Sequence, residues 1–590
     1  MIYRIGAGVA ALVAIVSLAW LIAGIPGHPR AAENSAAACP SDNGGITLSP
    51  GFCATVFADN LGHARHLVVA PDGVVYVNTW SGRYYHFGKV PAGFLVALKD
   101  TKGSGHADIV GRFGPSFAQG AAGGTGIAFY HGAIYAEEKD KIVRYALAPG
   151  EIVPKGPPQT VVYGMPLGGD HPMHPFVIDP QGNLYVDMGS ATNSCQVTNR
   201  TLGSPGINPC TELETRGGTW RYDANKLDQK FSPAERFVTG LRNGEGFAFD
   251  AAGRLFATQH GRDQLSQNFP QFFDVRLGAD LPAEELVHET RGADFGWPEC
   301  YFDGIAQKRL ALAPEYGGDG KKIGICAQKQ EPVAFFPSHW APNDLLIDNF
   351  EKFPAAYQGG AFIAFHGSWN RAPEPQGGYN VVFQPLKDGK AVGKFIVFAD
   401  GFAGPIKDPG LAHFRPTGLA AGPDGALYIS DDVHGRVWRV VAKASPANIA
   451  PAPEPGVAAA STGEPEPPEG INPNAGLADL TSLRVPPGAT RDQIALGERI
   501  FHGEVDGGTC GGCHGANAKG TSVGPDLTST HWIWGDGSLG SIEEIISMGV
   551  PNPKVYPGVM PPKGGANLSA SDVDAVAAYV WAISHQEAQK

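Results

Sequence analysis

One phrase recurs along the chain and constrains its fold more than any other feature. It is an apolar run, a turn centred on glycine, then an alternating apolar strand. It reads VVAPDGVVYV around Gly73, IAFYHGAIYA around Gly132, VIDPQGNLYV around Gly182 and AFDAAGRLFA around Gly253. It returns weakly as AYQGGAFIAF around Gly360 and strongly as AAGPDGALYI around Gly425. Asp-Gly and similar pairs between alternating runs signal β-hairpins, because such turns need left-handed backbone and a period of two buries one face. The successive steps are 59, 50, 71, 107 and 65 residues. The long step contains Cys300 and Cys326 and reads as an insertion. Six such units in about 400 residues predict a mainly β body, a six-bladed β-propeller; an unrelated series of hairpins in a sandwich or barrel is the alternative. Composition agrees: 80 glycines and 49 prolines in 590 residues argue against a helix-rich body. With 43% hydrophobic and 17% charged residues the chain is not disordered as a whole. A formal charge of -13 argues against a nucleic-acid partner.

The ends of the chain differ from this body. Arg4 precedes an apolar run from Ile5 to Ile25. Residues 1–30 therefore read as a signal peptide or an N-terminal membrane anchor, the run at 5–25 being long for the first and just long enough for the second. Ser35-Ala-Ala37 is the best cleavage candidate and lies late. Either reading delivers the rest to the periplasm, possible tether included. Six of the eight cysteines fall into local pairs, Cys39 with Cys53, Cys195 with Cys210 and Cys300 with Cys326. This suggests three disulfides and an oxidising compartment, buried thiols being the alternative. Residues 446–474, rich in proline and small residues, read as an extended linker between a propeller over 31–445 and a tail over 475–590.

The tail reads as a small α domain. Thr490 with Gln493, and Ser569 with Asp572, have the spacing of helix capping boxes. Val573, Val576, Ala577 and Val580 then fall on one helix face. Between the two helices stands Cys510-Gly-Gly-Cys513-His514, the attachment signature of one covalently bound haem c. Both thiols are needed for the porphyrin vinyl groups, and His514 is the axial ligand to iron. No second cysteine pair exists in the tail to complete a zinc site. Met560, in a proline-rich loop, is the expected sixth ligand; Met548 lies in a helical stretch and reads as packing. Trp532 and Trp534 either wall the haem or belong to the core. The tail resembles the cytochrome c family in CGGCH, in Gly524 to Leu527 and in the methionine loop. That resemblance implies that Pro525 lies against the haem near His514.

The body carries several further segments: Gly169-Asp170-His171; Leu241-Arg242-Asn243 and Gln259-His260-Gly261-Arg262-Asp263; Phe295-Gly296-Trp297-Pro298; His366 to Arg371; and Phe414-Arg415. In order and spacing these resemble the soluble-type sugar dehydrogenases dependent on pyrroloquinoline quinone (PQQ), including the L-sorbosone dehydrogenases, which are six-bladed propellers. The resemblance covers about residues 45–442. PQQ carries carboxylates and an ortho-quinone, so it calls for planar guanidinium forks, amide donors and a hard metal ion. Arg242, Arg415 and Asn243 offer the first two, and His366 stands roughly where the family has a lysine. The resemblance implies that His171 is the general base, with Asp170 orienting it or adjusting its basicity. It also implies a calcium ion on the backbone carbonyls of Gly261 and Arg262. No glutamine stands in GGTGIAF where glucose-oxidising relatives place a substrate contact, so glucose is a poor default. The expected activity is oxidation of a sugar or sugar aldehyde at PQQ, with electrons passed to the chain's own haem and then to a periplasmic or membrane acceptor. A calcium-dependent lactonase, or a binding propeller with an electron-transfer cytochrome, are the alternatives.

Overall fold

The computed structural model describes residues 39–79, 93–115, 124–371, 374–407 and 412–443, and the tail over 480–585 apart from 481, 504, 506–509, 516–517, 521–523, 552, 557–559 and 567. The apolar segment within 1–30 and the linker at 446–474 lie outside the described residues. No helix among the described residues is long and apolar enough to cross a membrane.

Six antiparallel sheets form the body. Blade 1 has strands Ala64–Val69, Val75–Thr79, Leu95–Lys99 and Ile109–Phe113. Blade 2 has Ile127–Tyr130, Ala133–Glu138, Lys141–Ala146 and Gln159–Tyr163. Blade 3 has Phe176–Ile178, Asn183–Met188, Gly218–Asp223 and Arg236–Thr239. Blade 4 has Phe247–Phe249, Leu255–Gln259, Glu284–Glu289 and Ala334–Phe336. Blade 5 has Pro342–Ile347, Ala361–Phe365, Asn380–Gln384 and Ile396–Asp400. Blade 6 has Pro416–Ala421, Leu427–Asp431 and Val437–Ala442, and takes its fourth strand, Phe52–Ala58, from the start of the body. The pairing of Phe52 with Ala442 and of Val56 with Trp438 closes the ring.

The six glycine turns are the same turn of each blade, between its first and second strands. Five of those glycines have positive φ, as left-handed turns require. In the weak repeat the left-handed residue is Gly359, one place before Gly360. The long step is accounted for by an insertion in blade 4. It carries the small sheet Cys300–Asp303 with Arg309–Leu312 and the Cys300–Cys326 disulfide. Cys39–Cys53 and Cys195–Cys210 are also disulfides.

Apolar residues fill the space between neighbouring blades rather than one central core. Val77 and Val96 of blade 1 meet Ala420 and Tyr428 of blade 6. Tyr76 and Leu95 meet Ile134 and Val143 of blade 2. Tyr135 meets Trp220 of blade 3, and Val238 meets Val287 of blade 4. Phe336 meets Phe365 of blade 5, whose Phe362 and Phe398 meet Phe52 and Ile429 of blade 6. With both faces of each sheet covered, the middle strands are buried along nearly their whole length.

The tail is helical: Arg491–Phe501, Cys510–His514, Leu539–Met548 and Ala570–Ser584. Thr490 and Ser569 cap the first and last of these with full capping boxes. Ile494, Ile500 and Phe501 pack with Val573, Val576 and Val580 in the tail's core. Met548 is 60% exposed at the end of its helix, so the packing role expected of it is wrong.

Candidate active site and haem loop

In an antiparallel blade the start of the first strand and the end of the second share one rim. Opposite that rim lie the six glycine turns. Most of the segments singled out in the sequence fall on it. Asp170 and His171 precede blade 3, Arg242 and Asn243 precede blade 4, and Arg415 precedes blade 6. His260 to Asp263 follow the second strand of blade 4, and His366 follows that of blade 5. All of these but Arg262 wall a cavity of about 910 Å³ together with Arg65, Arg200, Glu245 and Asp432. The same cavity is walled by Cys510, Cys513, His514, Met560, Trp532 and Trp534 of the tail. The haem loop thus faces the mouth of the propeller.

His171 is fixed through one ring nitrogen. Its Nδ1 lies 3.1 Å from the Ser190 carbonyl and 2.9 Å from Ser190 Oγ. A carbonyl only accepts, so Nδ1 carries the hydrogen and Nε2 keeps its lone pair. Burial, then Arg242, His260 and Arg200, hold the imidazole pKa well below its ordinary value, against the pull of Asp263. Asp170 does not orient this ring. Its carboxylate accepts from Arg200 Nε at 3.0 Å, because a guanidinium at that distance is a stronger partner than a neutral imidazole.

Two buried networks cross the mouth. In the first, Asp263 accepts from Arg200 at 2.9 Å and from Arg242 at 2.8 Å through one oxygen, and from Asn370 at 2.8 Å through the other. Burial opposes its ionisation, but Arg242 and Arg200 outweigh that and hold the carboxyl below its usual range. In the second, Asn243 donates to Glu245 at 3.3 Å and Arg65 donates to Glu245 at 3.3 Å and to Asp432 at 2.9 Å. Asp432 also lies 2.8 Å from His366 Nε2. Burial and Arg415 lower the His366 pKa to about 4, against Asp432. His366 is therefore a neutral donor to a carboxylate, unlike the lysine the family has in roughly that place.

The two expected forks differ. Arg242 donates to the Asn193 carbonyl and Oδ1, the Gly261 carbonyl and Asp263, so most of its N–H groups are committed to protein. Arg415 donates from Nε to the His366 carbonyl and from Nη2 to the Gly367 carbonyl. Among the described residues its Nη1 has no hydrogen-bond acceptor, which leaves it open to a ligand. Calcium is a poorer fit. The Gly261 carbonyl accepts from Arg242 Nη1 at 2.9 Å, and a second cation on that oxygen would meet the guanidinium charge. The Arg262 side chain turns into the blade 4 insertion, where Nη1 pairs with Glu315, and this does not bear on its backbone carbonyl. Among the described residues no group of three or more His, Cys, Asp or Glu is arranged to hold a metal ion. His174 is structural, bonded to Glu137 and the Pro166 carbonyl, and Arg371 pairs with Asp280 away from the cavity.

The tail side suits a haem. The three disulfides leave Cys510 and Cys513 as thiols, both in the short helix Cys510–His514. Burial and each other's proximity push Cys510 up to about 12, and burial pushes Cys513 up to about 11. His514 Nδ1 lies 2.9 Å from the Pro525 carbonyl, which directs Nε2 away from it as an iron ligand requires. Ile542, Ile546, Val576 and Val580 supply apolar wall. Met560 is held by a bridge to Val550, whose N–H donates to the Met560 carbonyl at 2.7 Å.

Arg65, Arg200, Glu245 and Asp432 were missed in the sequence. Arg65 stands at the start of a first strand, as Arg242 and Arg415 stand just before theirs, so the repeat itself held that signal. Nothing local marks Arg200, which the Cys195–Cys210 loop carries back over the mouth.

A propeller with a charged mouth, capped by a c-type haem loop, is the architecture of an oxidoreductase that carries its own cytochrome. The chain belongs to the TrAA12-like family, whose model matches residues 46–443, and the cytochrome c model matches residues 494–584. It is 27% identical over 237 residues to the pyrroloquinoline quinone-dependent pyranose dehydrogenase of Coprinopsis cinerea, 35% of this chain and 31% of that one. It is 37% identical over 91 residues to the cbb3-type cytochrome c oxidase subunit CcoP of Rubrivivax gelatinosus, 15% of this chain and 26% of that one. An uncharacterised protein of Borreliella burgdorferi is 26% identical over 216 residues, 36% of this chain and 50% of that one. The chain thus spans half or less of the curated relatives it matches. Among solved structures, the calcium form of the family AA12 enzyme of Trichoderma reesei aligns at TM-score 0.54 and 19% identity, over 70% of this chain and 100% of that one. The holo PQQ domain of the Coprinopsis cinerea pyranose dehydrogenase aligns at TM-score 0.51 and 20% identity, over 67% and 97%. These structures establish the fold.

Proposed function

We propose that the chain is a periplasmic quinoprotein dehydrogenase that oxidises a sugar or sugar aldehyde with PQQ held in the propeller mouth and passes the electrons to its own covalently bound haem. The observation that carries this reading is the single cavity walled on one side by His171, Arg65 and Arg415 and on the other by Cys510, Cys513, His514 and Met560. When bound, PQQ supplies a two-electron acceptor for hydride from the substrate carbon, and the haem takes electrons one at a time. Arg415 would hold a cofactor carboxylate through Nη1, and the amide of Asn243 has a second hydrogen for a quinone oxygen. His171 accepts the substrate hydroxyl proton at Nε2, with Ser190 keeping the ring in the required tautomer. Its depressed pKa keeps it unprotonated through neutral pH, in exchange for weaker basicity. Arg200 and Asp263 fix Arg242, whose charge contributes to that depression. The residues do not favour calcium at the Gly261 carbonyl, so the reading gives the ion no step. The acceptor beyond the haem would be a periplasmic or membrane carrier, and residues 5–25 would tether or export the chain. The pyranose dehydrogenase among the relatives supports the substrate class.

The test is optical. Haem-loaded protein is given PQQ and then a panel of aldoses, pyranoses and sugar aldehydes, and haem reduction is followed. Reduction that needs both PQQ and a sugar, and is lost in His171→Ala, is the expected result. A haem that answers a chemical reductant but no sugar, in protein shown to bind PQQ, would overturn the reading.

A further inference from the structure

The cytochrome meets the propeller at two places, Gly512 and the pair Gly564-Gly565. Gly512, inside the haem-attachment helix, has ordinary backbone, so its conformation does not demand glycine. A Cβ there would come within 2.6 Å of the Trp369 carbonyl oxygen and 2.7 Å of the indole Cε3. The indole occupies the space of a side chain between the two attachment cysteines. Gly564 accepts a hydrogen bond through its carbonyl from Gln264 Nε2 at 3.3 Å, and a Cβ on Gly565 would lie 2.5 Å from the same nitrogen. Trp369 follows the second strand of blade 5, and Gln264 follows that of blade 4. Both stand on the rim that carries His171 and Arg415, and both line the shared cavity.

We infer that Trp369 and Gln264 form a docking seat for the chain's own cytochrome, which holds the haem-attachment helix over the propeller mouth. Gly512 leaves room for Trp369 at the contact. This rests on the dehydrogenase reading for its purpose: the two electrons removed from one substrate molecule leave across the seat one at a time. The contact itself does not rest on that reading. Trp369 is a positioning residue. A tether alone keeps the cytochrome nearby at an effective concentration set by linker length, whereas a fitted seat sets distance and orientation as well.

The experiment uses the full haem-loaded chain, with Trp369→Ala, Gln264→Ala and Gly512→Val. Small-angle scattering reads docking without any turnover. Haem absorbance and reduction by a chemical reductant check that each variant has folded and taken up haem. With PQQ and an active sugar, stopped-flow haem reduction is compared with reduction of a soluble dye at the propeller. Trp369→Ala and Gly512→Val are expected to give a larger radius of gyration than the parent. Trp369→Ala is expected to slow haem reduction by roughly tenfold or more relative to dye reduction in the same variant, as loss of a fitted contact leaves only the tether. Parent-like scattering in both variants, with intact haem, would overturn the seat. If no sugar reduces either haem or dye in the parent, the dehydrogenase reading fails while scattering still decides the seat. Gln264→Ala reports the second contact, with a smaller expansion expected.

Discussion

His171 and Arg200 show how a side chain's chemistry is set by neighbours far away in sequence. The depressed imidazole pKa follows from burial and from the cations Arg242 and Arg200 around it. A base of lowered pKa is active above that pKa and lost as pH falls through it, so the acid limb of sugar-driven haem reduction should lie well below pH 6.5. Arg200→Gln removes one cation and leaves Asp170 and Asp263 less compensated. Both effects raise the imidazole pKa, so the acid limb should move to higher pH, read from a pH–rate profile. Breaking this buried network should also cost about 3–5 kcal/mol of stability, measurable by chemical denaturation. At this scale the sequence was half legible. His171, Arg242, Asn243 and Arg415 were visible from the short segments that carry them. The partner of Asp170 was not, because Arg200 arrives from a disulfide-closed loop with no local mark. Nor could sequence show that Arg242 donates to Gly261, the carbonyl set aside for a metal.

The third strand of blade 4, Glu284–Glu289, shows the same lesson for an element. It reads EELVHE, which as a pattern suggests a solvated edge. It is instead an inner strand, paired with Leu255–Gln259 on one side and Ala334–Phe336 on the other. Burial raises the carboxyls of Glu284, Glu285 and Glu289 to about 8 each. A carboxyl whose folded pKa is raised binds its proton more tightly in the folded chain. Its contribution to stability is full below the ordinary 4.5 and is lost as pH rises through about 8. The melting temperature should therefore fall between pH 5 and pH 8, followed by circular dichroism. Glu289→Gln keeps an oxygen for Thr219 Oγ1, which donates at 2.8 Å, and should flatten that decline. The hairpins were readable because alternation and left-handed glycine are local properties. This strand was not, because its burial is decided by the neighbouring blades.

For the whole molecule, the repeat and the attachment signature made two modules legible, and nothing in either foretold that they would share one cavity. That depends on the match between Trp369 and Gly512, which no spacing announces. Ring closure was equally invisible. Strand Phe52–Ala58, fastened at its start by the Cys39–Cys53 disulfide, is the outer strand of blade 6. Deleting residues 39–58 would bare the edge of Val437–Ala442, and an exposed apolar edge invites pairing between chains. The truncated protein should aggregate, as read by light scattering, while Cys53→Ser with Cys39→Ser should keep the parent's association state but melt earlier.

That clasp also fixes a calendar for the molecule. On the ribosome its first strand emerges among the earliest segments of the body, and its partner among the last. For the whole of that interval the ring stands open and its earliest piece waits for a neighbour not yet made. Contacts of such long sequence separation form slowly, because the loop between them must be gathered first. The propeller can thus be closed, at its seam, only after its last strand has been made.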